Sequence, residues 1–371
     1  MACNLRLDPY RRGGDAAVQK DYELITGGAG FIGTNLADRL AAEGKQVGIL
    51  DNFSHAGAEF NFEWLKWKHG SKIHLFRGDI REPSFVEHAA EGARSIYHLA
   101  AQVLAAKSFE DPVHDFEVNA RGTLNLLEAA RKSMIRRGSA PSVLFASTSK
   151  VTGGLENMSV TWRNHRYEPI EEGLRLKGIG EEHGVEFSSL YGCSKGAADQ
   201  YVLEYARSFG VPTVVFRLSC VYGPHQWGNE NQGWVAHFVK ESLARRTITF
   251  YGDGRQVRDV LYVDDLVDAM LIARREIERL SGMAFNIGGG PEHTTSLVEL
   301  TQLIGAIQER VPKVVVEPWR PSDPRYYVSN ISKFRNLTGW TPRTGVCEGV
   351  TKLNSWFTRK EIDIQSTSSY V

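Results

Sequence analysis

The sequence predicts an α/β protein in which a doubly wound parallel sheet is joined to a smaller C-terminal α/β lobe. Short, almost continuously apolar segments alternate with helical periodicity from residue 22 to about residue 218, a pattern typical of parallel strands covered by helices on both faces. A glycine-rich turn follows the first of these segments. After about Pro224 the alternation loosens, and glycine- and asparagine-rich loops separate shorter elements. Right-handed crossovers between the parallel strands then give the doubly wound order.

The individual elements follow from this pattern. Residues 31–43 carry Ile32, Leu36 and Leu40 at helical spacing, so we expect a helix with these side chains turned inward. Strands are predicted at 23–26, 46–50, 72–76, 95–99, 142–146 and 213–218, and further helices at 123–136, 192–209, 264–280 and 297–308. We divide the chain into a loosely ordered leader (1–20), a nucleotide-binding domain (21–223), a region that forms mainly the C-terminal substrate-binding lobe (224–358) and a flexible tail (359–371).

Composition narrows the class of protein. The 371 residues include 44 Lys plus Arg and 44 Asp plus Glu, and this neutral balance argues against a dedicated nucleic-acid or membrane-surface protein. No apolar run approaches the roughly 18 residues that would indicate a membrane span. The first 20 residues lack the apolar stretch of a secretory signal. The four cysteines are scattered, without C-x-x-C or metal-ligand spacing, so we expect free thiols, no metal and a cytoplasmic protein.

The turn after the first strand has the spacing of a dinucleotide-binding loop, with Gly27, Gly30 and Gly33 between a strand and a helix. Its glycines permit a tight turn and close approach of a pyrophosphate, while the helix N-terminus offers N–H donors. Asp51 follows, eighteen residues past Gly33, at the end of the second strand. A carboxylate there bonds an adenosine ribose and repels a 2′-phosphate, so the sequence favours NAD over NADP.

Other strand ends extend this cofactor site. Asp79, after the third strand, is positioned to accept the adenine amino group, although a plain turn aspartate remains an alternative. The small residues after the fourth strand would let the cofactor lie across the strand ends, at the topological switch point. The remaining predicted cofactor-binding residues are Phe31, Ile32, Asn52, Ile80, Leu99, Ala100, Ala101 and Ser147.

Tyr191 and Lys195 are four residues apart and share one face if their segment is helical. A lysine ammonium beside a phenol lowers the pKa of the phenol from its ordinary value of about 10, which would suit proton exchange with a sugar hydroxyl. Thr148 ends the fifth strand, where its hydroxyl could bond a substrate oxygen. An exposed helix pair and a hydroxyl cap remain the structural alternatives. Cys193, which lies between Tyr191 and Lys195 in the sequence, is predicted to be a small core residue.

With Gly27-x-x-Gly30-x-x-Gly33, Thr148 and Tyr191-x-x-x-Lys195 in this order, the chain resembles the extended short-chain dehydrogenase/reductase family over about residues 20–358. The resemblance implies a Rossmann fold with NAD as cofactor. It also implies that Tyr191 is the acid/base, that Lys195 lowers the pKa of Tyr191 and holds the nicotinamide ribose, and that Thr148 supplies the catalytic hydroxyl.

Longer segments are similar to the CDP-paratose 2-epimerases, also called CDP-tyvelose epimerases: residues 101–103, 147–151, 191–200, 232–235 and 254–260. In that family NAD⁺ stays bound, takes a hydride from sugar C2 and returns it to the opposite face of a transient keto-sugar. The likeness implies a nucleotide-diphosphate sugar as substrate, with a CDP-sugar favoured, and a homodimer or dimer of dimers. The substrate-binding residues that it implies are Gln102, Thr148, Gln226, Gln232, Trp234, Arg258 and Arg325, the two arginines for the diphosphate.

Some positions depart from the family pattern. Thr152 stands where a tyrosine is usual, Leu190 where a proline is common, and Asn330 where an aspartate is expected. For Trp234 core packing is an alternative, and for the arginines an ion pair at the surface or domain interface.

The two residues after Thr148 separate related reactions. Relatives that eliminate water have an Asp-Glu pair there, and decarboxylating relatives have a glutamate at the second position, whereas this chain has Ser149 and Lys150. The sequence therefore favours an epimerase. The alternatives are a C4 epimerase, a net NAD-dependent dehydrogenase or reductase, and a non-catalytic NAD-sensing protein.

Overall fold

The computed structural model describes residues 21–153, 155, 158–320 and 323–368, so the predicted leader lies outside the described residues. Its strands are β1 (Tyr22–Thr26), β2 (Val47–Asp51), β3 (Ile73–Arg77), β4 (Ala93–His98), β5 (Ser142–Thr148), β6 (Val160–Arg163), β7 (Arg166–Pro169), β8 (Thr213–Leu218), β9 (Cys220–Tyr222), β10 (Ile248–Tyr251), β11 (Val257–Tyr262), β12 (Met283–Ile287), β13 (Thr294–Ser296), β14 (Val314–Glu317) and β15 (Tyr326–Tyr327).

Its helices are α1 (Phe31–Ala42), α2 (Ala58–His69), α3 (Pro83–Ala90), α4 (Ala105–Glu110), α5 (Pro112–Phe116), α6 (Gly122–Arg137), α7 (Glu172–Lys177), α8 (Leu190–Phe209), α9 (Trp234–Leu243), α10 (Val263–Arg275), α11 (Ile277–Leu280), α12 (Leu297–Ile307), α13 (Ser332–Thr338) and α14 (Val346–Ser368). A π-helical turn, Glu117–Arg121, joins α5 to α6. Within the described residues, no helix has the length and apolar character needed to cross a membrane.

The central sheet has seven parallel strands in the order β3-β2-β1-β4-β5-β8-β12. The chain runs outward from β1 to β3 and then restarts on the other side of β1 with β4. The carboxyl ends of β1 and β4 therefore diverge into a crevice at the switch point, where doubly wound folds bind their ligands. This confirms the predicted fold class and its six predicted strands, to which β12 adds a seventh.

Alternating strand residues fill two apolar layers, one on each face of the sheet. Ile25 and Ile49 pack with α1, α2 and α10 on one face, whereas Leu24 and Leu50 pack with α3, α6 and α8 on the other. These four side chains are at most 1% exposed. Strands buried on both faces explain why the sequence shows continuous apolar runs and not polar alternation.

The C-terminal lobe has its own core, in which Phe238, Phe250 and Leu300 are buried between α9, α12, α14 and the short strands. The β6–β7 hairpin joins this lobe although it lies early in the chain, because Arg166 forms a salt bridge of 2.7 Å with Glu299.

The structure does not divide cleanly at residue 223, because one segment before it belongs to the lobe and one strand after it belongs to the central sheet. The hairpin at 160–169 passes to the lobe, and β12 returns to pair with β8 because the open edge of that strand needs a hydrogen-bonding partner. Helix α14 continues to Ser368, so the tail predicted to begin at residue 359 is helical over most of its length.

Candidate active site

The glycine turn between β1 and α1 is packed too tightly for side chains. Gly27 has a φ of +67°, and a Cβ there would lie 2.8 Å from the backbone nitrogen of Ala100. A Cβ on Gly33 would lie 2.5 Å from the carbonyl oxygen of Gly27. Helix α1 starts after Gly30, with no side chain capping its first N–H groups. These N–H groups and the positive end of the helix dipole suit a pyrophosphate, as the sequence predicts.

Asp51 is tied to this turn. Its Oδ2 accepts a hydrogen bond of 3.0 Å from the Ala29 N–H, and its Oδ1 accepts one of 2.8 Å from the Phe53 N–H. Burial raises the pKa of Asp51, and the two backbone donors oppose that rise. The carboxylate lines the cleft that begins at the glycine turn, where a ribose hydroxyl could bond it.

Asp79 also lines this cleft, but its carboxylate already has partners. Asn52 donates a hydrogen bond of 2.9 Å to it, and Arg81 binds both carboxylate oxygens at 2.9 Å. Burial opposes ionisation of Asp79, but the Arg81 contacts prevail and lower its pKa to about 2. Sequence reasoning did not identify Arg81 as the partner of Asp79. The predicted contact with adenine therefore has to share a carboxylate that Arg81 holds.

His98, at the end of β4, is a positioning residue that sequence reasoning missed. It is fully buried, with Nδ1 2.7 Å from the Thr26 hydroxyl and Nε2 2.9 Å from the Thr123 hydroxyl. Burial lowers its pKa to about 3, so the ring is neutral near pH 7. It fixes the ends of β1 and β4 relative to α6. Its only sequence signal was a histidine at the end of an apolar strand.

Thr148, Tyr191 and Lys195 come together on one wall of the same cleft, whose volume is about 810 Å³. Thr148 ends β5, and its hydroxyl accepts a hydrogen bond of 3.2 Å from the Lys150 N–H. Tyr191 and Lys195 lie in the first turns of α8, which Ser189 caps by accepting from the Gly192 N–H. The Thr148 side chain acts on the phenol of Tyr191, whose pKa it lowers against the larger effect of burial. The predicted catalytic residues thus share one site with the glycine turn.

The electrostatics of this group differ from the sequence prediction. Burial raises the pKa of Tyr191 to about 12, and the Thr148 side chain opposes the rise only in part. Lys195 is 3% exposed, and burial lowers its pKa to about 7. Its ammonium donates to the Ala146 carbonyl oxygen at 2.6 Å and lies 4.2 Å from the centre of the Phe145 ring. The expectation that Lys195 brings the pKa of Tyr191 toward neutrality is therefore wrong for the protein's own groups, because desolvation dominates.

Gln102 stands at the wall of the cleft, but its side-chain amide is engaged within the protein. Its Nε2 donates to Asp115 Oδ1 at 2.7 Å, and its Oε1 accepts from the Leu104 N–H at 2.6 Å. Asp115 also accepts from Ser194, on the catalytic helix, and Asn119 donates to Ser194 at 3.0 Å. The structure thus gives Gln102 structural partners in place of the free amide that the substrate-binding prediction requires.

The π-helical turn explains part of this network. It contains Asn119, which is 1% exposed and donates to the Gln102 carbonyl oxygen at 3.0 Å. Single π-turns inside helices recur at functional sites. Here the turn directs a buried amide toward the helix that carries the catalytic pair.

The other predicted substrate residues divide into three that line the cleft and two arginines that do not. Gln226, Gln232 and Trp234 line the cleft, together with Cys220, which sequence reasoning did not identify. Gln226 Nε2 also donates to a backbone carbonyl at 3.1 Å.

Arg258 and Arg325 are not among the residues that line this cleft. The Arg258 guanidinium binds Asp323 at 2.7 Å, which matches the ion-pair alternative, and Arg325 lies over the Tyr167 ring at 5.3 Å. Asp323 also attracts Lys150, whose Nζ is 3.7 Å away. The Arg258 donors point to Asp323 and to backbone carbonyls, and the diphosphate contact of the two arginines stays a prediction.

Two further findings bear on the chemistry of the site. Cys193 is exposed, and not in the core as predicted, because its position on α8 faces outward. In the part of the chain that the structure describes, no cluster of His, Cys, Asp and Glu side chains is arranged to hold a metal ion. The glycine cradle, the uncapped helix start and Asp51 together fit a dinucleotide.

Comparison with known proteins agrees with this site. Residues 23–288 match the NAD dependent epimerase/dehydratase family. A CDP-paratose 2-epimerase of Salmonella typhi is 38% identical over 340 residues, which cover 90% of this chain and 98% of that protein. A UDP-glucose 4-epimerase of Mycolicibacterium smegmatis is 32% identical over 338 residues, 91% of this chain and 98% of that protein.

A solved structure of an epimerase also matches this chain. The UDP-glucose 4-epimerase of Thermus thermophilus, solved in complex with NAD, matches this chain with a TM-score of 0.76 and 32% identity, over 91% of this chain and 99% of that one. The fold is thus shared with an enzyme that was solved with NAD. The chain belongs to the NAD dependent epimerase/dehydratase family.

Proposed function

We propose that the protein is an NAD-dependent nucleotide-sugar epimerase that inverts C2 of a CDP-linked deoxyhexose, as in conversion of CDP-paratose to CDP-tyvelose. The observation that carries the proposal is that Thr148 and Tyr191 line the same cleft as the glycine turn, and that Thr148 is followed in the sequence by Ser149 and Lys150 and not by acidic residues. The 38% identity to the Salmonella enzyme supports the choice of sugar and base.

The distribution of acids supports a redox-neutral reaction. Among the described residues, the acidic side chains that line the cleft are Asp51, Asp79, Glu110 and Asp111. They belong to the ends of β2 and β3 and to α4–α5, and none adjoins Thr148 in the chain. Elimination needs a second acid/base beside the reacting carbons. Lys150, which occupies the decisive position, is a base and not an acid, and its Nζ lies 3.7 Å from Asp323.

The mechanism follows from the groups that touch the sugar. The glycine turn, the start of α1 and Asp51 would hold NAD⁺, which would supply the hydride acceptor and a positive charge. Tyr191 in its phenolate form takes the C2 hydroxyl proton as the C–H and O–H bonds break and the C=O bond forms. Thr148 donates a hydrogen bond to the same oxygen and limits its movement. After the keto-sugar turns over, Tyr191 would return the proton to the C2 oxygen.

Conversion of CDP-paratose in D₂O tests this proposal. We expect CDP-tyvelose in the ¹H NMR spectrum and no net change in absorbance at 340 nm, since no NADH accumulates. The hydrogen on C2 should remain protium, because the hydride does not exchange with solvent. The Tyr191→Phe variant should bind NAD and lose turnover. Stoichiometric NADH, deuterium at C2, or no conversion of any CDP-sugar would contradict the proposal.

C4 epimerisation of a UDP-sugar is the second candidate, favoured by the 32% identity to the Mycolicibacterium enzyme. The same assay with UDP-glucose separates the two, since only one substrate should be converted at a substantial rate.

We also propose that the protein acts in the cytoplasm as a homodimer, or as a dimer of dimers. Helices α4 and α5 pack beside α8 and leave Phe109, Val113 and Phe116 between 54% and 71% exposed, with Tyr201 49% exposed nearby on α8. A second copy of the same helices would cover this apolar face. Analytical ultracentrifugation should give a dimer that Phe116→Glu dissociates, whereas Val311→Glu, at a side chain 92% exposed elsewhere, should leave it intact.

A further inference from the structure

Residues 223–228, here termed the cover segment, form the first part of the connection from β9 to α9. Their side chains reach the nucleotide end of the cleft, since His225, Gln226 and Trp227 line the same space as Gly30 and Asp51. The segment therefore faces the glycine turn across the cofactor cleft.

One side chain joins the two sides. Asn61, on α2, is 2% exposed, and its Nδ2 donates to the carbonyl oxygens of Ala29 in the glycine turn (3.1 Å) and His225 in the cover segment (3.2 Å). Its Oδ1 accepts from Trp227 Nε1 at 3.2 Å and lies 3.2 Å from His225 Nδ1. A second link is made by Asn35 of α1, which donates to the Pro224 carbonyl oxygen at 2.9 Å.

Aromatic rings reinforce these links. The His225 ring lies 4.2 Å from the Trp64 ring and 5.3 Å from the Trp356 ring, measured between centres. Trp227 packs on the backbone of Gly57, where a Cβ would be 2.0 Å from the indole Cδ1. The cover segment is thus held to α2 on one side and to α14 on the other.

The backbone of the cover segment indicates that this position is imposed by its contacts. His225 has a φ of +66°, a left-handed conformation that is strained for a residue other than glycine. The hydrogen bonds of Asn61 and the flanking tryptophan rings offset this strain. If they were removed, the segment would lose the reason to stay against the glycine turn.

We propose that the cover segment, fastened by Asn61 and Trp227, is the outer wall of the NAD site and retains the cofactor between turnovers. Release of NAD requires the Asn61 contacts to break and the indole of Trp227 to leave Gly57. The inference deepens the proposed function, because a redox-neutral epimerase must not lose reduced cofactor while the keto-sugar is bound.

Isotope exchange measures retention without any sugar. The purified holoprotein is mixed with excess deuterated NAD, and the bound fraction is followed by mass spectrometry. We expect Asn61→Ala and Trp227→Ala to exchange NAD about tenfold faster or more, because each variant loses hydrogen bonds that hold the cover segment. Trp227→Phe, which keeps a ring, should be intermediate. Trp67 lies on α2, as Asn61 does, but is 82% exposed, so Trp67→Ala should exchange NAD at the wild-type rate.

Thermal unfolding with saturating NAD identifies variants that fail to fold, and the milder Trp227→Phe then carries the test. Wild-type exchange rates in folded Asn61→Ala and Trp227→Ala proteins would overturn the proposal. Because no sugar is present, a failure of CDP-paratose conversion leaves this result unaffected, and a failure here leaves the assignment of the sugar unaffected.

Discussion

The Lys195 ammonium donates a hydrogen bond of 2.6 Å to the carbonyl oxygen of Ala146, two residues before the strand end that carries Thr148. Helix α8 and strand β5 are therefore joined at the reacting centre by a buried group whose charge depends on pH. Burial lowers the pKa of Lys195 to about 7 from an ordinary value of 10.5.

This shift predicts a pH-dependent stability. Between about pH 7 and pH 10.5, Lys195 binds more protons in the unfolded chain than in the folded one. The contribution of Lys195 to the free energy of unfolding therefore rises with pH across that window. Lys195→Met removes the titration. We expect the difference in Tm between variant and wild type to shift in favour of the wild type as pH rises from about 6 to about 9. A difference that is constant with pH would contradict this prediction.

The glycine turn predicts a steric effect on cofactor binding. Gly33→Ala places a methyl group 2.5 Å from the Gly27 carbonyl oxygen, so the turn must shift. We expect a loss of roughly 1–3 kcal/mol in stability and weaker NAD binding, measured by calorimetry. Gly345→Ala is the control, since no atom lies within 4 Å of its Cβ position. Equal NAD affinity in the two variants would show that the turn yields without effect.

Asp51 predicts the choice between cofactors. Asp51→Asn removes the negative charge that repels a 2′-phosphate while it keeps an acceptor for the Ala29 N–H. We expect the ratio of NADP to NAD dissociation constants to fall by about tenfold, equivalent to roughly 1.4 kcal/mol. Asp38→Asn, which loses ion pairs with Lys68 and His69 away from the cleft, should not change the ratio.

The buried pair Asp199–Arg217 predicts a large stability effect close to the catalytic helix. Both side chains are at most 7% exposed, and two hydrogen bonds of 3.0 Å join them. Arg217→Met leaves the carboxylate without its partner, so we expect a loss of about 3–5 kcal/mol in urea unfolding. Arg207→Gln breaks the exposed pair with Glu204 and should cost about 0.5 kcal/mol or less. Similar losses in both variants would refute the distinction.

Local patterns in the sequence predicted much of this molecule. The strand before Gly27, the helix after it and the Tyr191–Lys195 spacing are set by neighbours in the chain, and the structure has them where they were expected. Contacts between distant segments were not predictable in this way. The partner of Gln102 is Asp115, and the partner of Arg258 is Asp323, and neither pairing leaves a mark in residue spacing.

Desolvation was also invisible to sequence reasoning. The spacing of Tyr191 and Lys195 predicts proximity, but the pKa of each depends on how much water the folded protein removes from around it. The spacing predicts a lowered pKa for Tyr191, whereas burial raises it.

The position of β12 has a consequence for how the chain is made. This strand pairs with β8 in the central sheet but follows it by some 65 residues, with β9, α9, β10, β11, α10 and α11 in between. While the chain emerges from the ribosome, β8 is an unprotected edge until residue 287 has been synthesised. Synthesis of these intervening elements therefore sets how long the sheet stays open to pairing with other chains.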